Sequence, residues 1–295
     1  MAKRTTDGTA PRFRRGIELD DVPEVAMTVP PGLRPADSEA AAHPVADLSG
    51  KPKTWFLIGP GGAGKTALAR WLAHRMTEQG RGAILAALDP ANRSLASWFA
   101  NVEMPPTRDG AHSARWLRGL LEYLMGAQAS AVIDLGGGDV SLETVLASAP
   151  DMHEALERAG LGVVACYVLT PRVDDLGILH TLEAAGFRPG ATLIVLNEGR
   201  ADPAVPREEA FAPVLRHSVL KAAIARGAAV MWMPALESDV MQEIEVKRLD
   251  FGMARDGQVP DGARFAPLGG LRRSMVGRWL QRMEQAAAPV ATWLP

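Results

Sequence analysis

Six short apolar runs recur along the chain, separated by segments with helical spacing. The runs are nearly continuous in apolar residues, which is typical of strands covered on both faces of a sheet. They cover residues 54–58, 82–88, 130–135, 161–169, 191–197 and 228–234. The segments between them, for example residues 66–80 and 174–186, end in glycine, a common helix terminator. This alternation predicts an α/β fold with a doubly wound, mostly parallel sheet and helices on both faces.

The two ends of the chain depart from this alternation. Residues 1–50 have no clear period and are rich in Pro, Ala, Asp and Arg, which predicts a flexible arm with a basic cluster. Residues 51–250 are predicted to form one domain, and residues 251–295 a C-terminal loop and helix packed on it. For that helix, a membrane or DNA surface position is the alternative. Its apolar positions at helical spacing are Leu271, Met275, Val276, Trp279 and Met283.

The composition limits the classes of function. With 47% hydrophobic residues the 295-residue chain can form a full core, and its net charge of −2 argues against a chain-wide nucleic-acid surface. The single cysteine, Cys166, lies within an apolar run and is predicted to be a buried, inert side chain. No apolar stretch reaches the roughly 20 residues that a membrane-spanning helix needs. We therefore expect a soluble, cytoplasmic protein without a membrane span.

The stretch GPGGAGKT, residues 59–66, follows the first apolar run and precedes an amphipathic helix. We call it the P-loop, because it matches the phosphate-binding pattern G-x-x-x-x-G-K-[ST]. Glycines let backbone N–H groups converge on phosphate oxygens, and the following helix directs its positive dipole end at the same anion. The predicted nucleotide-binding residues of this segment are Gly59, Gly61, Gly62, Ala63, Gly64, Lys65, Thr66 and Ala67.

Side chains in and near the P-loop predict the chemistry. Lys65 is expected to reach the β- and γ-phosphates of a nucleotide, and the Thr66 hydroxyl to bind Mg²⁺. Asp134 lies in the run at 130–135 and precedes residues 136–138, three glycines that we call the glycine loop. This arrangement suits a second Mg²⁺ ligand followed by a loop that senses the γ-phosphate. Thr66 and Asp134 are thus the predicted metal ligands.

Asp89 follows the run at residues 82–88 and is a second candidate carboxylate. It could orient water or the metal, or it could be a turn residue before Pro90. The predicted catalytic residues are Lys65, Asp89 and Asp134.

Further motifs appear in an order that resembles the ParA/MinD class of P-loop ATPases, most closely the members that act in plasmid partition or conjugal transfer. After the P-loop, these motifs are LDPANRSLASWF, VIDLGGGD, VLTPRVDD and LIVLNEG, and the resemblance covers roughly residues 54–250. It implies a Mg²⁺-ATP-dependent switch with slow, partner-stimulated hydrolysis. Asp89 would act on the water side and Asp134 on the magnesium side. Asn197, at the end of its strand, would contact adenine, and the alternative is a turn residue at the strand end. The expected partners are a protein, DNA of a plasmid or transfer complex, and a second copy of the chain in a nucleotide-dependent homodimer.

The chain departs from this class at two positions. The signature lysine of the loop is replaced by Pro60, which carries no charge to a dimer partner. The D-x-D at the second strand reads Ala87-Leu88-Asp89, so one acid remains. Asn197 is followed by Glu-Gly-Arg rather than the Lys-x-Asp of guanine sites, which favours ATP over GTP.

Two other functions fit the same P-loop. A small-molecule or protein kinase would need an acceptor pocket and a lid, for which residues 101–116 are the candidate. A nucleotide-binding regulatory module that hydrolyses poorly is favoured by Pro60.

Overall fold

The computed structural model describes residues 46–88, 95–107 and 109–295. Within them, seven strands form one sheet in the order β3-β2-β4-β1-β5-β6-β7, and every neighbouring pair is parallel. The strands are β1 (Lys53–Ile58), β2 (Ile84–Ala87), β3 (Val102–Glu103), β4 (Ala131–Asp134), β5 (Gly162–Leu169), β6 (Ala191–Asn197) and β7 (Ala229–Met233).

Helices connect the strands and cover both faces of the sheet. They are α1 (Lys65–Glu78), α2 (Gly110–Ala127), α3 (Ser141–Ser148), α4 (Met152–Arg158), α5 (Leu176–Ala184), α6 (Arg207–Ala210), α7 (Ala212–Arg216), α8 (Ser218–Ala225), α9 (Ser238–Val246), α10 (Phe251–Asp256) and α11 (Gly270–Ala287). Short 3₁₀ turns span Val173–Asp175, Glu198–Arg200 and Ala288–Trp293. The fold is a doubly wound α/β fold, as the alternation of apolar runs predicted.

The sheet divides the core into two layers. In β1, Trp55 and Leu57 pack with α1, α10 and α11, whereas Phe56 and Ile58 pack with helices α2 to α5 on the opposite face. Burying a large apolar side chain stabilises a fold by about 1.5–3 kcal/mol. Because both faces of a central strand are covered, its sequence reads as a continuous apolar run rather than an alternating one. The buried Cys166 lies in the first layer, and its burial raises the pKa of its thiol.

Helix α1 is anchored by a buried arginine. The Arg70 guanidinium donates to the Leu249 carbonyl at 3.1 Å and stacks over the ring of Trp98, 3.4 Å from its centroid. The ring of Phe251 is a second aromatic contact of this guanidinium, with its centroid 4.6 Å from Arg70 Cζ. Desolvation by burial lowers the pKa of Arg70 to about 10, so the side chain stays charged at neutral pH. The stacking thus holds the helix that begins at the P-loop against α10.

Two surface segments add to what the sequence indicated. In the described part of residues 101–116, the candidate kinase lid, Val102–Glu103 is an edge strand and helix α2 begins at Gly110. Helix α11 forms as expected and buries Val276, Trp279 and Met283, but Leu271 is 74% exposed. Leu271 lies in the first turn of α11, where the apolar period continues beyond the packed part of the helix.

Indole hydrogen bonds join distant parts of the chain at the amino end of β1. The Trp55 Nε1 donates to the carbonyl of Trp293 at 2.7 Å. The Trp293 Nε1 in turn donates to the carbonyl of Ala46 at 2.6 Å. We call these two bonds the indole relay, and they join the end of the chain and the segment before β1 at the edge of the sheet where the strands begin, its amino edge. The carboxyl ends of the strands gather at the opposite edge, where β1 lies between β4 and β5.

Candidate nucleotide site

The P-loop leaves β1 through a backbone contact that only glycine permits. Gly59 has φ 149°, and a Cβ there would lie 2.4 Å from the carbonyl oxygen of Val168 on β5. Gly62 and Gly64 also have positive φ, at 76° and 106°, and Gly64 precedes the first residue of α1. Gly61 and Gly62 are exposed. The loop therefore turns its backbone outward, as a phosphate-binding loop must.

Lys65 folds back over the loop that it follows. Its Nζ donates to the carbonyls of Gly59 at 2.8 Å and Pro60 at 3.0 Å, and the side chain is buried. The ammonium group is thus held across the mouth of the P-loop. A cation in this position, next to backbone N–H groups at a helix start, suits a polyphosphate.

Thr66 and Asp134, the two predicted metal ligands, lie next to each other. The Thr66 Oγ1 donates to Asp134 Oδ2 at 3.3 Å. Asp134 ends β4, in register with Leu57 of β1, and is buried. A hydroxyl and a carboxylate oxygen beside a phosphate site are ligands that Mg²⁺ prefers, so the donor set fits that ion.

The glycine loop lies directly against the P-loop. A Cβ at Gly137 would lie 2.3 Å from the backbone nitrogen of Gly61 and 3.0 Å from the carbonyl carbon of Pro60. The segment after the glycine loop is held by hydrogen bonds, because the Asp139 carboxylate accepts from the backbone N and the Oγ of Ser141, both at 2.9 Å. The P-loop is therefore in backbone contact with the loop that leads into α3.

Asn197 reaches the P-loop from the end of β6. Its Nδ2 donates to the Ala63 carbonyl at 2.7 Å, and its Oδ1 accepts from Gly199 N at 3.0 Å. A Cβ at Gly64 would lie 2.3 Å from the same Nδ2. Asn197 thus holds the backbone of the P-loop through a hydrogen bond, a role that the sequence did not predict. Its contact with adenine stays a prediction.

Beyond Asn197, a cluster of distant residues fixes the end of β6. Glu198 is mostly buried and accepts from Arg207 at 2.7 Å and from Arg282 of α11 at 3.2 Å. The Trp279 Nε1 of the same helix donates to the carbonyl of Pro234, after β7, at 2.8 Å. Sequence reasoning missed this cluster, because no spacing pattern connects positions so far apart in the chain.

The remaining predicted residues are placed as follows. Ala67 lies in the first turn of α1 and is partly buried. Asp89 lies outside the described residues, so its role stays a prediction.

Comparison with known proteins gives likenesses in structure alone. No family model matches the chain. No curated protein matches it either. Chloroplast FtsY from Physcomitrella patens is similar at 15% identity and a TM-score of 0.42, over 65% of this chain and 61% of that one. This chain therefore spans less than two thirds of the FtsY chain.

Two bacterial structures are similar at the same level. The signal recognition particle receptor FtsY from Elizabethkingia anophelis has 14% identity and a TM-score of 0.43, over 82% of this chain and 69% of its own. The cell division protein FtsY from Thermotoga maritima has 14% identity and a TM-score of 0.42, over 82% and 74%. Likenesses this weak do not bear on nucleotide, activity or partner.

The described part of the chain contains no helix long and apolar enough to cross a membrane. The parallel sheet with helices on both faces carries, after its central strand, a glycine loop with a lysine folded over it and a threonine beside a carboxylate. This is a doubly wound α/β fold whose central strand leads into a loop with the phosphate-binding pattern.

Proposed function

We propose that the chain is a switch protein that binds Mg²⁺-ATP at the P-loop and hydrolyses it slowly, with stimulation by a partner. The observation that carries the proposal is the P-loop geometry: Lys65 spans the loop carbonyls of Gly59 and Pro60, while Thr66 meets Asp134. A loop arranged in this way fits a charged phosphate chain and a divalent cation together.

Each residue has a role in this proposal. Backbone N–H groups of residues 61–67 bind the phosphates, and Lys65 neutralises charge on the β- and γ-oxygens. Thr66 and Asp134 would hold Mg²⁺, which when bound neutralises charge that develops on the phosphate oxygens. Asp89 orients the attacking water.

The end of β6 supports adenine rather than guanine. A guanine site needs a carboxylate that accepts from the base, and the two acids that follow Asn197 are used locally. Glu198 is bound by Arg207 and Arg282, and Asp202 accepts from the backbone N of Ala204 at 2.9 Å. Asn197, whose amide also bonds to Ala63 and Gly199, is the residue that we propose contacts adenine.

The order of motifs from the P-loop to Asn197 supports a role like that of ParA/MinD-type proteins in plasmid partition or conjugal transfer, in the cytoplasm. A protein is the expected partner, and a nucleotide-dependent homodimer is a further expected state. DNA is supported by an open cleft of about 510 Å³ on α10 and α11, which Arg273 and Arg278 line together with Arg255, whose guanidinium also pairs with Glu78 and Asp256. Guanidinium groups bind phosphodiesters well.

A second candidate function is a nucleotide-binding regulatory module with poor hydrolysis. Pro60 favours it, since the loop lacks a cation that could reach the nucleotide of a partner. Both candidates share the site and differ in turnover.

The test is ATP and GTP binding by titration calorimetry, together with turnover measured with Mg²⁺ in the presence and absence of double-stranded DNA. We expect ATP to bind more tightly than GTP, and Lys65→Ala to abolish binding and turnover. Turnover that rises with DNA supports the switch. Binding without turnover favours the regulatory module, and absence of binding to either nucleotide contradicts both.

A further inference from the structure

A groove of about 380 Å³ opens beside the P-loop. Three parts of the chain line it: the end of β1 with Gly59 and Pro60, the segment from β4 into α3, and the segment from the Val173–Asp175 turn into α5. We call it the switch groove, because the glycine loop forms part of its wall.

The switch groove has apolar side chains at its base and exposed aliphatic side chains at its rim. Leu135, Leu142 and Leu182 are buried at its base. Val140 in its lining is 51% exposed, and the neighbouring Val173 is 36% exposed. Isolated exposed aliphatic residues are ordinary on a protein surface, but these two lie beside a groove with an apolar base, against which an apolar side chain of a partner can pack.

The charge around this groove is negative. Four carboxylates and one guanidinium, that of Arg172, line it. Asp139 and Asp175 accept hydrogen bonds from their own loops, Asp175 from Thr170 N at 2.8 Å. Asp174 is exposed and pairs with Arg172 at 3.4 Å, and a pair so exposed contributes little. Asp174 and Glu143 therefore give the groove a negative potential that favours a cationic occupant.

An occupant of the switch groove would touch the glycine loop, which under the proposed function senses the nucleotide. Pro60 and Gly137 line the groove and also form the contact between the P-loop and the glycine loop. Since a Cβ at Gly137 would lie 2.3 Å from Gly61 N, the backbones of the two loops are in direct contact, with no room for a side chain at Gly137. A group that presses on the glycine loop from the groove therefore acts on the P-loop as well.

We propose that the switch groove docks a segment of a protein partner that carries a lysine or arginine between apolar residues. The apolar flanks contact Val140 and the buried leucines, and the cation lies near Glu143 and Asp174. Docking holds the glycine loop against the P-loop. The position of the groove beside a nucleotide switch rests on the proposed function, whereas the docking chemistry rests on the groove itself.

The test uses the full chain and synthetic peptides with a central arginine between leucine and alanine residues, paired with identical peptides that carry glutamate at the centre. Amide chemical shifts and calorimetry report binding. We expect arginine peptides to bind at least tenfold more tightly than glutamate peptides, to shift the amides of residues 136–138, and to weaken with salt.

Variants of the groove and matched controls locate the site. Glu143→Gln combined with Asp174→Asn should weaken binding by roughly fivefold, and Val140→Ser by a similar factor. The controls are Asp261→Asn, an exposed acid elsewhere, and Ile224→Ser, an exposed aliphatic residue on α8; neither should change the affinity.

Three outcomes would overturn the proposal. The first is that no arginine peptide binds below about 1 mM. The second is that the groove variants bind as the wild-type chain does. The third is that a small amine such as agmatine binds as tightly as the peptides, which assigns the groove to a small cation. ATP titrated in the same samples separates the proposals, because peptide binding without ATP binding contradicts only the proposed function, and the reverse result contradicts only the docking.

Discussion

The two ends of the nucleotide site are built in different ways. At the phosphate end, most contacts run within the eight residues of the P-loop or to backbone that lies against it, that of β5 and of the glycine loop, and Asn197 adds one side-chain contact from β6. At the base end, Glu198 is held by Arg207 and by Arg282, which is 84 residues away in the chain. The phosphate end is therefore local and rigid, whereas the base end depends on how α11 packs. Substitutions at the phosphate end should cost more than those at the base end.

Gly59→Ala should have the largest effect. The added Cβ would lie 2.4 Å from the backbone oxygen of Val168, and a backbone atom cannot move aside as a flexible side chain can. We expect the free energy of unfolding to fall by about 3 kcal/mol or more, and ATP affinity to fall more than tenfold. Urea denaturation and calorimetry measure both.

Gly62→Ala is the matched control for this substitution. Gly62 also has positive φ, but nothing lies within 4 Å of its would-be Cβ. It should cost only about 1 kcal/mol, from backbone strain alone. Equal losses in the two variants would contradict the view that contact with β5 makes the phosphate end rigid.

Asn197→Ala probes the place where the two ends meet. It removes the hydrogen bond to the Ala63 carbonyl, which is then left without this donor, so we expect a loss of about 1–2 kcal/mol in stability. ATP affinity should fall by roughly tenfold. Asn197→Asp should be worse than Asn197→Ala, because a carboxylate would face the carbonyl oxygen. An alanine variant that binds ATP like the wild type would remove Asn197 from the site.

Glu198→Gln tests the base end alone. The two arginines that bind Glu198 are about half exposed, so breaking the pairs should cost less than about 1 kcal/mol. ATP affinity should fall roughly threefold, with phosphate binding measured by pyrophosphate unchanged. Glu154→Gln, which breaks an exposed pair with Arg158, is the control and should leave ATP binding unaltered. A loss of pyrophosphate affinity in Glu198→Gln would show that the ends are not separable.

A pH titration gives the smallest effect and acts on neither end directly. Burial lowers the pKa of His74, on α1, against the opposing charge of Glu78. The unfolded chain takes up a proton near pH 6.5 that the folded chain resists, so stability is fully present above that pH and falls as pH drops below it. Between about pH 8 and pH 5.5, the free energy of unfolding should fall less in His74→Gln than in the wild type. An identical fall in both would exclude His74 as the cause.

The sequence predicts the phosphate end well because its signal is contiguous. The residues of the P-loop are neighbours, and the fold requires only that a strand precede them and a helix follow. Asp134 could be placed because it ends a run of apolar residues, and parallel strands end at one edge. Six of the seven described strands were predicted, because each contains a run of apolar residues. Strand β3 was missed, since its two residues form no run.

The base end could not be predicted, because tertiary packing decides it. Nothing in the sequence pairs Glu198 with Arg282, which the periodicity presents only as a polar position between apolar ones on α11. The Trp279 indole is apolar by pattern, yet it donates to the carbonyl of Pro234. Leu271 shows the opposite error, since its apolar pattern predicted burial that no neighbour provides.

The indole relay at the amino edge of the sheet has a consequence for biosynthesis. The Trp55 indole donates to the carbonyl of Trp293, 238 residues away, and the Trp293 indole donates to that of Ala46, 247 residues away. A strand that is synthesised early therefore depends on a residue that is synthesised late. Until residue 293 has left the ribosome, the Trp55 indole lacks this acceptor, so we expect the core layer that Trp55 and Trp293 share to stay incomplete during translation. A nascent chain stalled before that point should remain sensitive to proteases and dependent on chaperones, although its nucleotide loop has long been synthesised.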